Sequence, residues 1–232
     1  MYLFVIATFL VGSLITNRFE VSGDFLASVQ RVTASELLYR AGLCIRFLAS
    51  LCTVFLAMGL YGAVKPAGSS LALLALIFRL VEATIGGVGS IFSFILLKLY
   101  TNGDYVNAFS LNQLSAFTGL YTEWSAASLN IACIFFSMGS ILFFYLFRKG
   151  NYIPRILSGL GLFASLLVTL TGFANLLSAH SSPMLQFGWL PMFVAEISVG
   201  LWLLIKGVNL HKLKSEDINR TNAKPVDAGI IA

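Results

Sequence analysis

Four charged side chains lie inside strongly apolar stretches of the sequence. They are Arg46, Arg79, Glu82 and Glu196. A charge at the centre of a bilayer costs at least about 2.5 to 3.5 kcal/mol on insertion scales, so each group needs a partner or an aqueous cavity. Two of the four are basic and two are acidic, so their formal charges sum to zero, as a paired network requires.

The spacing of these residues predicts which of them meet. Arg79 and Glu82 are three residues apart in one apolar stretch, so in a helix their side chains share a face and reach each other. Arg46 lies about 14 Å into its predicted helix, and Glu196 lies about 9 Å into the last helix from the same side. An Arg46 to Glu196 contact is therefore geometrically allowed.

The four charges have two interpretations, and the sequence leaves both open. In the first, they form the floor of an outward-facing polar cavity, where Glu82 or Glu196 binds a cation or a proton and an arginine binds an anionic group. In the second, they form a structural salt-bridge network that holds the helices in register.

Polar and small residues accompany the charges. Asn130 and Asn175 lie in the fourth and fifth apolar stretches; a hydrogen bond between helices is the favoured role, and ligand binding is the alternative. Gly86, Gly87 and Gly89 follow Glu82. They favour close helix packing, and the alternative is a local break whose freed carbonyl groups would bind an ion.

The elements that position these residues are predicted from composition and hydropathy. Of the 232 residues, 58% are hydrophobic and 11% are charged, whereas soluble domains carry about 25% charged residues. Crossing a bilayer takes about 20 apolar residues. Six stretches qualify or nearly qualify: 1–16, 37–64, 69–100, 124–147, 156–179 and 190–207. The sequence thus predicts an all-α, polytopic membrane bundle of six transmembrane helices.

The orientation of the bundle follows from the lysine and arginine residues that flank the stretches. Four flank one side, namely Arg18, Arg31, Arg40 and Lys98. Nine flank the other: Lys65, Arg148, Lys149, Arg155, Lys206, Lys212, Lys214, Arg220 and Lys224. The more basic side is expected to be cytoplasmic, with both termini there. Residues 1–208 then form the transmembrane domain, and residues 209–232 form a polar, disordered cytoplasmic tail.

The opposite side is expected to carry aromatic loops at 100–124 and 180–189, with Trp124 and Trp189 in an interfacial belt. Residues 17–36 mix apolar and polar positions. They predict either a short amphipathic helix on the outer surface or an ordinary loop.

No catalytic, metal or cofactor motif is recognised. Cys44, Cys52 and Cys133 lack the spacing of a zinc site, and His180 and His211 fall on opposite sides of the membrane in this topology. The net charge of +5 is explained by residues at helix ends and in the tail, so no nucleic-acid partner is expected. The expected partners are the lipid bilayer and a small solute or ion.

Four segments of the sequence form recognisable motifs. They are LALLALIFRLVEATIGGV (71–88), ELLYRAG (36–42), GNYIPRILSGLG (150–161) and EISVGLWLLIKGVN (196–209). These segments resemble the DUF4386 family of integral membrane proteins of unassigned function. The resemblance covers nearly the whole chain. It implies a multi-pass protein of the bacterial inner (plasma) membrane and carries no activity. Arg79, Glu82, Arg155 and Glu196 fall on positions that look characteristic of the family.

Three functions follow, in order of preference. The first is a non-enzymatic membrane protein that binds or moves a small solute or ion through a polar pocket formed by the four charges. The second is a membrane-embedded regulatory or scaffold subunit in which the charges are purely structural. An intramembrane enzyme acting on lipid ranks last.

Overall fold

The computed structural model describes residues 1–21, 24–177 and 188–207. Its helices are α1 (Tyr2–Asn17), α2 (Phe25–Ala34), α3 (Glu36–Val64), α4 (Ser69–Thr101), α5 (Gly103–Ala108), α6 (Leu111–Lys149), α7 (Arg155–Leu177) and α8 (Trp189–Ile205). A 3₁₀ turn, Lys65–Ala67, joins α3 to α4. The described residues contain no strand, so the predicted all-α class is confirmed. The tail, 209–232, and His180 lie outside the described residues.

Four of the helices are long and apolar enough to cross a membrane. They are α3 with the turn that follows it, α4, α6 and α7, with 32, 33, 39 and 23 residues. Helices α1 and α8 are equally apolar in character but shorter, with 16 and 17 residues. Because a lipid-facing surface must be apolar, these helices are those of a membrane protein.

The expectation of a loop over 100–124 is wrong for most of its length. Helix α5 lies within it, and α6 begins at Leu111, thirteen residues before Trp124. Ser110 and Gln113 form a capping box, in which the Ser110 N–H donates to Gln113 Oε1 at 2.9 Å. The S-x-x-Q pattern is a helix-start signal, and hydropathy alone does not detect it because the first turns of α6 are polar.

Of the two expectations for residues 17–36, the amphipathic helix is the one observed. Helix α2 begins after Asp24, whose side chain accepts from the Ala27 N–H at 2.9 Å. Phe25 and Val32 are buried, whereas Arg31 is exposed. The helix packs on α3, α4 and α6, and its placement on a membrane surface stays a prediction.

The six apolar helices pack in a closed ring. Each contacts the next in the order α1, α3, α4, α6, α7 and α8, and α8 returns to α1. Glycines allow the close approaches: a Cβ on Gly42 would lie 2.7 Å from Ile15 of α1, and one on Gly200 would lie 3.1 Å from Cβ of Tyr2. The ring encloses an interior into which charged side chains can point.

The glycines after Glu82 do not break α4, which is continuous through them. A Cβ on Gly86 would meet Ser50 Oγ of α3 at 2.6 Å, so close packing is observed there. Gly87 and Gly89 have nothing within 4 Å of a built Cβ. The helix-break alternative is therefore not supported, because the backbone hydrogen bonds of α4 continue.

Candidate functional site

The contact between Arg79 and Glu82 expected from their spacing is present in the interior of the ring. Arg79 Nη1 lies 2.9 Å from Glu82 Oε2, and the two side chains are 3% and 20% exposed. The guanidinium also stacks over the ring of Phe136 on α6, with its carbon 4.6 Å from the ring centroid. A cation over an aromatic face is stabilised by the ring quadrupole, so Arg79 is held from two helices.

This ion pair leaves hydrogen-bonding capacity unused. Arg79 Nε and Nη1 and Glu82 Oε2 are buried and have no hydrogen-bond partner in the part of the chain that the structure describes. The 2.9 Å contact is thus an ion contact without hydrogen-bond alignment. Buried polar atoms in native proteins are nearly always paired, and an exception in a cavity wall marks a candidate binding position.

Glu196 of α8 faces the same interior. Its charge interacts with that of Arg79, but among residues 1–21, 24–177 and 188–207 it makes no hydrogen bond and no ion pair. The allowed contact between Glu196 and Arg46 does not form. Helix α1 lies between α3 and α8 in the ring, and the stem of Arg46 packs over Gly12 of α1.

Arg79, Glu82 and Glu196 share the wall of one cavity of about 480 Å³, here called the inner cavity. Its lining comes from α1, α3, α4, α6 and α8, and apart from these three charges it is mainly apolar, for example Leu56 and Met192. Ligand sites have this form: an apolar enclosure of about 300 to 1,000 Å³ with a few convergent polar groups.

Arg46 lines a second, neighbouring cavity of about 280 Å³, here called the outer cavity. Its wall also holds Glu20 and six serines, namely Ser13, Ser50, Ser90, Ser93, Ser125 and Ser128. The two cavities share Phe9, Ser50, Gly86, Leu129 and Ala132 in their linings. They therefore adjoin, with a hydroxyl-rich chamber on one side of the shared wall and a largely apolar chamber on the other.

Asn130 and Asn175 line neither of these cavities. Asn175 Nδ2 donates to Asn130 Oδ1 at 3.4 Å, which joins α6 to α7. This hydrogen bond between helices is the role that their positions favour.

Glu20 and Trp189 take roles that their sequence positions do not indicate. Glu20 accepts a hydrogen bond from the Tyr39 hydroxyl at 2.7 Å. Burial raises the pKa of Glu20 above its ordinary value of 4.5, while the Tyr39 hydrogen bond and the charge of Arg46 act to lower it.

Trp189, expected in an interfacial belt, lines the inner cavity and stacks on Phe136 at a centroid distance of 5.7 Å.

The chemistry available in the inner cavity is that of charged groups of both signs. No group of three histidine, cysteine, aspartate or glutamate side chains is placed to hold a metal ion within the described ranges. What converges on the inner cavity is one guanidinium and two carboxylates in an apolar enclosure. Such groups bind and orient a polar ligand.

Comparisons with known proteins address the ancestry of the chain. No curated protein matches it, and no solved structure does. A family model described as "Domain of unknown function (DUF4386)" matches residues 1–207, which include all the helices of the ring and both cavities. The chain therefore belongs to the DUF4386 family.

Proposed function

We propose that this protein crosses the bacterial inner membrane six times with both termini in the cytoplasm. The ring supports an even number of crossings because the start of α1 lies beside the C-terminal half of α8, where Gly200 approaches Tyr2. Helix α8, with 17 residues, is about 26 Å long, which is a little less than the hydrocarbon core of about 30 Å. The side richer in lysine and arginine is the cytoplasmic one.

The topology is tested by labelling single cysteines in intact cells with a membrane-impermeant maleimide. In a cysteine-free background, Arg31→Cys should be labelled, and Lys149→Cys should be labelled only after permeabilisation; both native side chains are exposed. Labelling of Lys149→Cys in sealed cells would contradict the orientation.

Within that frame, we propose that the protein binds a small solute or ion in the inner cavity. The observation that carries the proposal is the convergence of Arg79, Glu82 and Glu196 on an apolar cavity of about 480 Å³. Glu196 is left without an ion-pair partner among the described residues. A purely structural network would pair its charges, because an unpaired charge in an apolar enclosure is destabilising. A bound ligand or a bound proton would compensate the negative charge of Glu196.

The test measures ligand-dependent thermal stability of the protein in phosphatidylcholine nanodiscs. The panel contains inorganic cations, amino acids, amines, fatty acids and nucleotides. Ala132 lies in the wall that the two cavities share, so Ala132→Leu fills that space. Ala127→Leu on the exposed face of α6 is the matched control. A ligand at a hundredfold excess over its Kd stabilises by about 2.7 kcal/mol.

The expected result is a compound that raises the melting temperature of the wild type and of Ala127→Leu but not that of Ala132→Leu. The regulatory or scaffold alternative predicts that no compound has this selective effect and that the charges only stabilise the fold. If no compound distinguishes the wild type from Ala132→Leu, and Glu82→Gln melts far below both, the charges are structural and the binding proposal is wrong.

A further inference from the structure

The formal charges of the groups that line the inner cavity do not sum to zero. Arg79 contributes one positive charge, and its contact with Glu82 accounts for one carboxylate. Glu196 remains in the same wall, so with all three groups ionised the formal charge is −1. Coulomb interactions are strong in a low-dielectric enclosure. A net negative wall attracts a cation, whereas an anion that approached Arg79 would meet two carboxylates.

The charges lie toward one end of the cavity. Tyr2, at the start of α1, lines the cavity together with Arg79, Glu82 and Glu196 and lies within electrostatic range of all three. Farther along α1, the lining consists of Val5, Ile6, Phe9 and Leu10. From Tyr2 to Leu10, α1 rises about 12 Å. One end of the cavity is therefore charged, and the wall that continues from it along α1 is apolar.

On α1 and α8, the apolar part of the cavity lining includes side chains that are exposed on the outside of the ring. The two helices approach closely where a Cβ on Gly200 would touch Tyr2 and Leu3. Away from this crossing, Leu10, Leu190 and Phe193 line the cavity and are 42% to 57% exposed. In a bilayer, exposed apolar side chains of this kind face hydrocarbon, so a passage between α1 and α8 would lead to lipid rather than to water.

We propose that the ligand of the inner cavity is a lipophilic amine. Its cationic nitrogen pairs with Glu196, and its apolar chain lies along α1 toward the exposed apolar side chains of α1 and α8. This inference rests on the proposed binding function and names the ligand class. Three features support it: the formal charge of −1 when all three groups are ionised, the apolar length next to the charges, and the exposed apolar side chains of α1 and α8 in the lining.

The experiment compares decylamine, decanol and decanoate as probes, which share one chain and differ in head-group charge. Thermal stability is measured in phosphatidylcholine nanodiscs for the wild type, Glu196→Gln, Glu196→Asp and Glu123→Gln. Glu123 is exposed on α6, so its variant controls for the loss of one negative charge. Effects of the probes on the bilayer are common to all four proteins and cancel in the comparison.

Decylamine is expected to stabilise the wild type, Glu196→Asp and Glu123→Gln more than decanol does. For Glu196→Gln the apparent Kd for decylamine should rise about tenfold or more, because a charge-assisted contact is lost. Glu196→Gln removes an unpaired charge and is expected to fold, so its loss of response is interpretable.

Three results would overturn the inference: decanol matching decylamine, decanoate giving the largest shift, or Glu196→Gln retaining the decylamine response. Each is separable from failure of the proposed function. If another compound of the panel stabilises the wild type and not Ala132→Leu, the space beside Ala132, which both cavities share, binds a ligand of a different class. If no compound does so, both proposals fail together.

Discussion

Replacing Arg79 with leucine is expected to lower the free energy of unfolding by about 3 to 5 kcal/mol, the effect typical of breaking a buried ion pair from one side. Arg79 is 3% exposed and contacts Glu82 at 2.9 Å. Its removal leaves Glu82 and Glu196 in the same apolar wall without a cation. The measurement is reversible denaturant unfolding in mixed lipid and detergent micelles.

The control is the other ion pair of the described structure, between Arg40 and Glu36. These side chains are 38% and 40% exposed, and exposed pairs contribute about 0 to 1 kcal/mol. Arg40→Leu should therefore change stability little. A second variant, Arg79→Leu with Glu82→Gln, should recover part of the loss, since it removes one orphaned carboxylate. Equal effects of Arg79→Leu and Arg40→Leu would show that the interior pair is solvated.

Adding a single methyl group at Gly12 is expected to destabilise the protein by about 1 to 3 kcal/mol, the usual range for overpacking. A Cβ on Gly12 would lie 2.9 Å from the backbone nitrogen of Arg46 and 3.0 Å from the carbonyl oxygen of Gly42. Backbone atoms cannot rotate away as a side chain does. Gly12→Ala must therefore push α1 from α3, and thermal unfolding in nanodiscs measures the result.

Gly59→Ala is the matched control on α3. Nothing lies within 4 Å of a Cβ built on Gly59, and alanine in a helix interior is more stable than glycine by about 0.5 to 1 kcal/mol. The two substitutions should therefore act in opposite directions. If Gly12→Ala were as stable as Gly59→Ala, the close crossing of α1 and α3 would be wrong.

Glu82 and Glu196 should differ in their contributions to stability and to binding. Glu82 neutralises Arg79, so its loss leaves a buried cation unpaired. Glu196 forms no ion pair among the described residues and interacts with Arg79 only at longer range, so its loss breaks no ion pair. A residue that contributes little to the fold and faces a cavity is the stronger candidate for ligand contact. The inference about amines therefore rests on Glu196 rather than on Glu82.

Much of the fold was predictable because it depends on the hydropathy and the helical periodicity of single segments. A stretch as apolar as 69–100 can form a helix in lipid, and the observed α4, Ser69–Thr101, nearly coincides with it. The Arg79 to Glu82 contact follows from the pitch of a single helix. The start of α6 was missed, although the S-x-x-Q signal at Ser110 was present, because the hydropathy criterion overlooks polar helical turns.

The sequence by itself determined the helical class, the apolar spans and the pairing of Arg79 with Glu82, because each depends on residues within one helix. Only the tertiary structure decided that Arg46 and Glu196 do not meet. This depends on the order of helices around the ring, and α1 comes between α3 and α8. That order is set by small contacts such as Gly12 on Gly42 and Gly200 on Tyr2. The hydropathy of a segment does not indicate which distant segment packs against it. The lack of an ion-pair partner for Glu196 among the described residues therefore depends on the assembled ring and not on the sequence near Glu196.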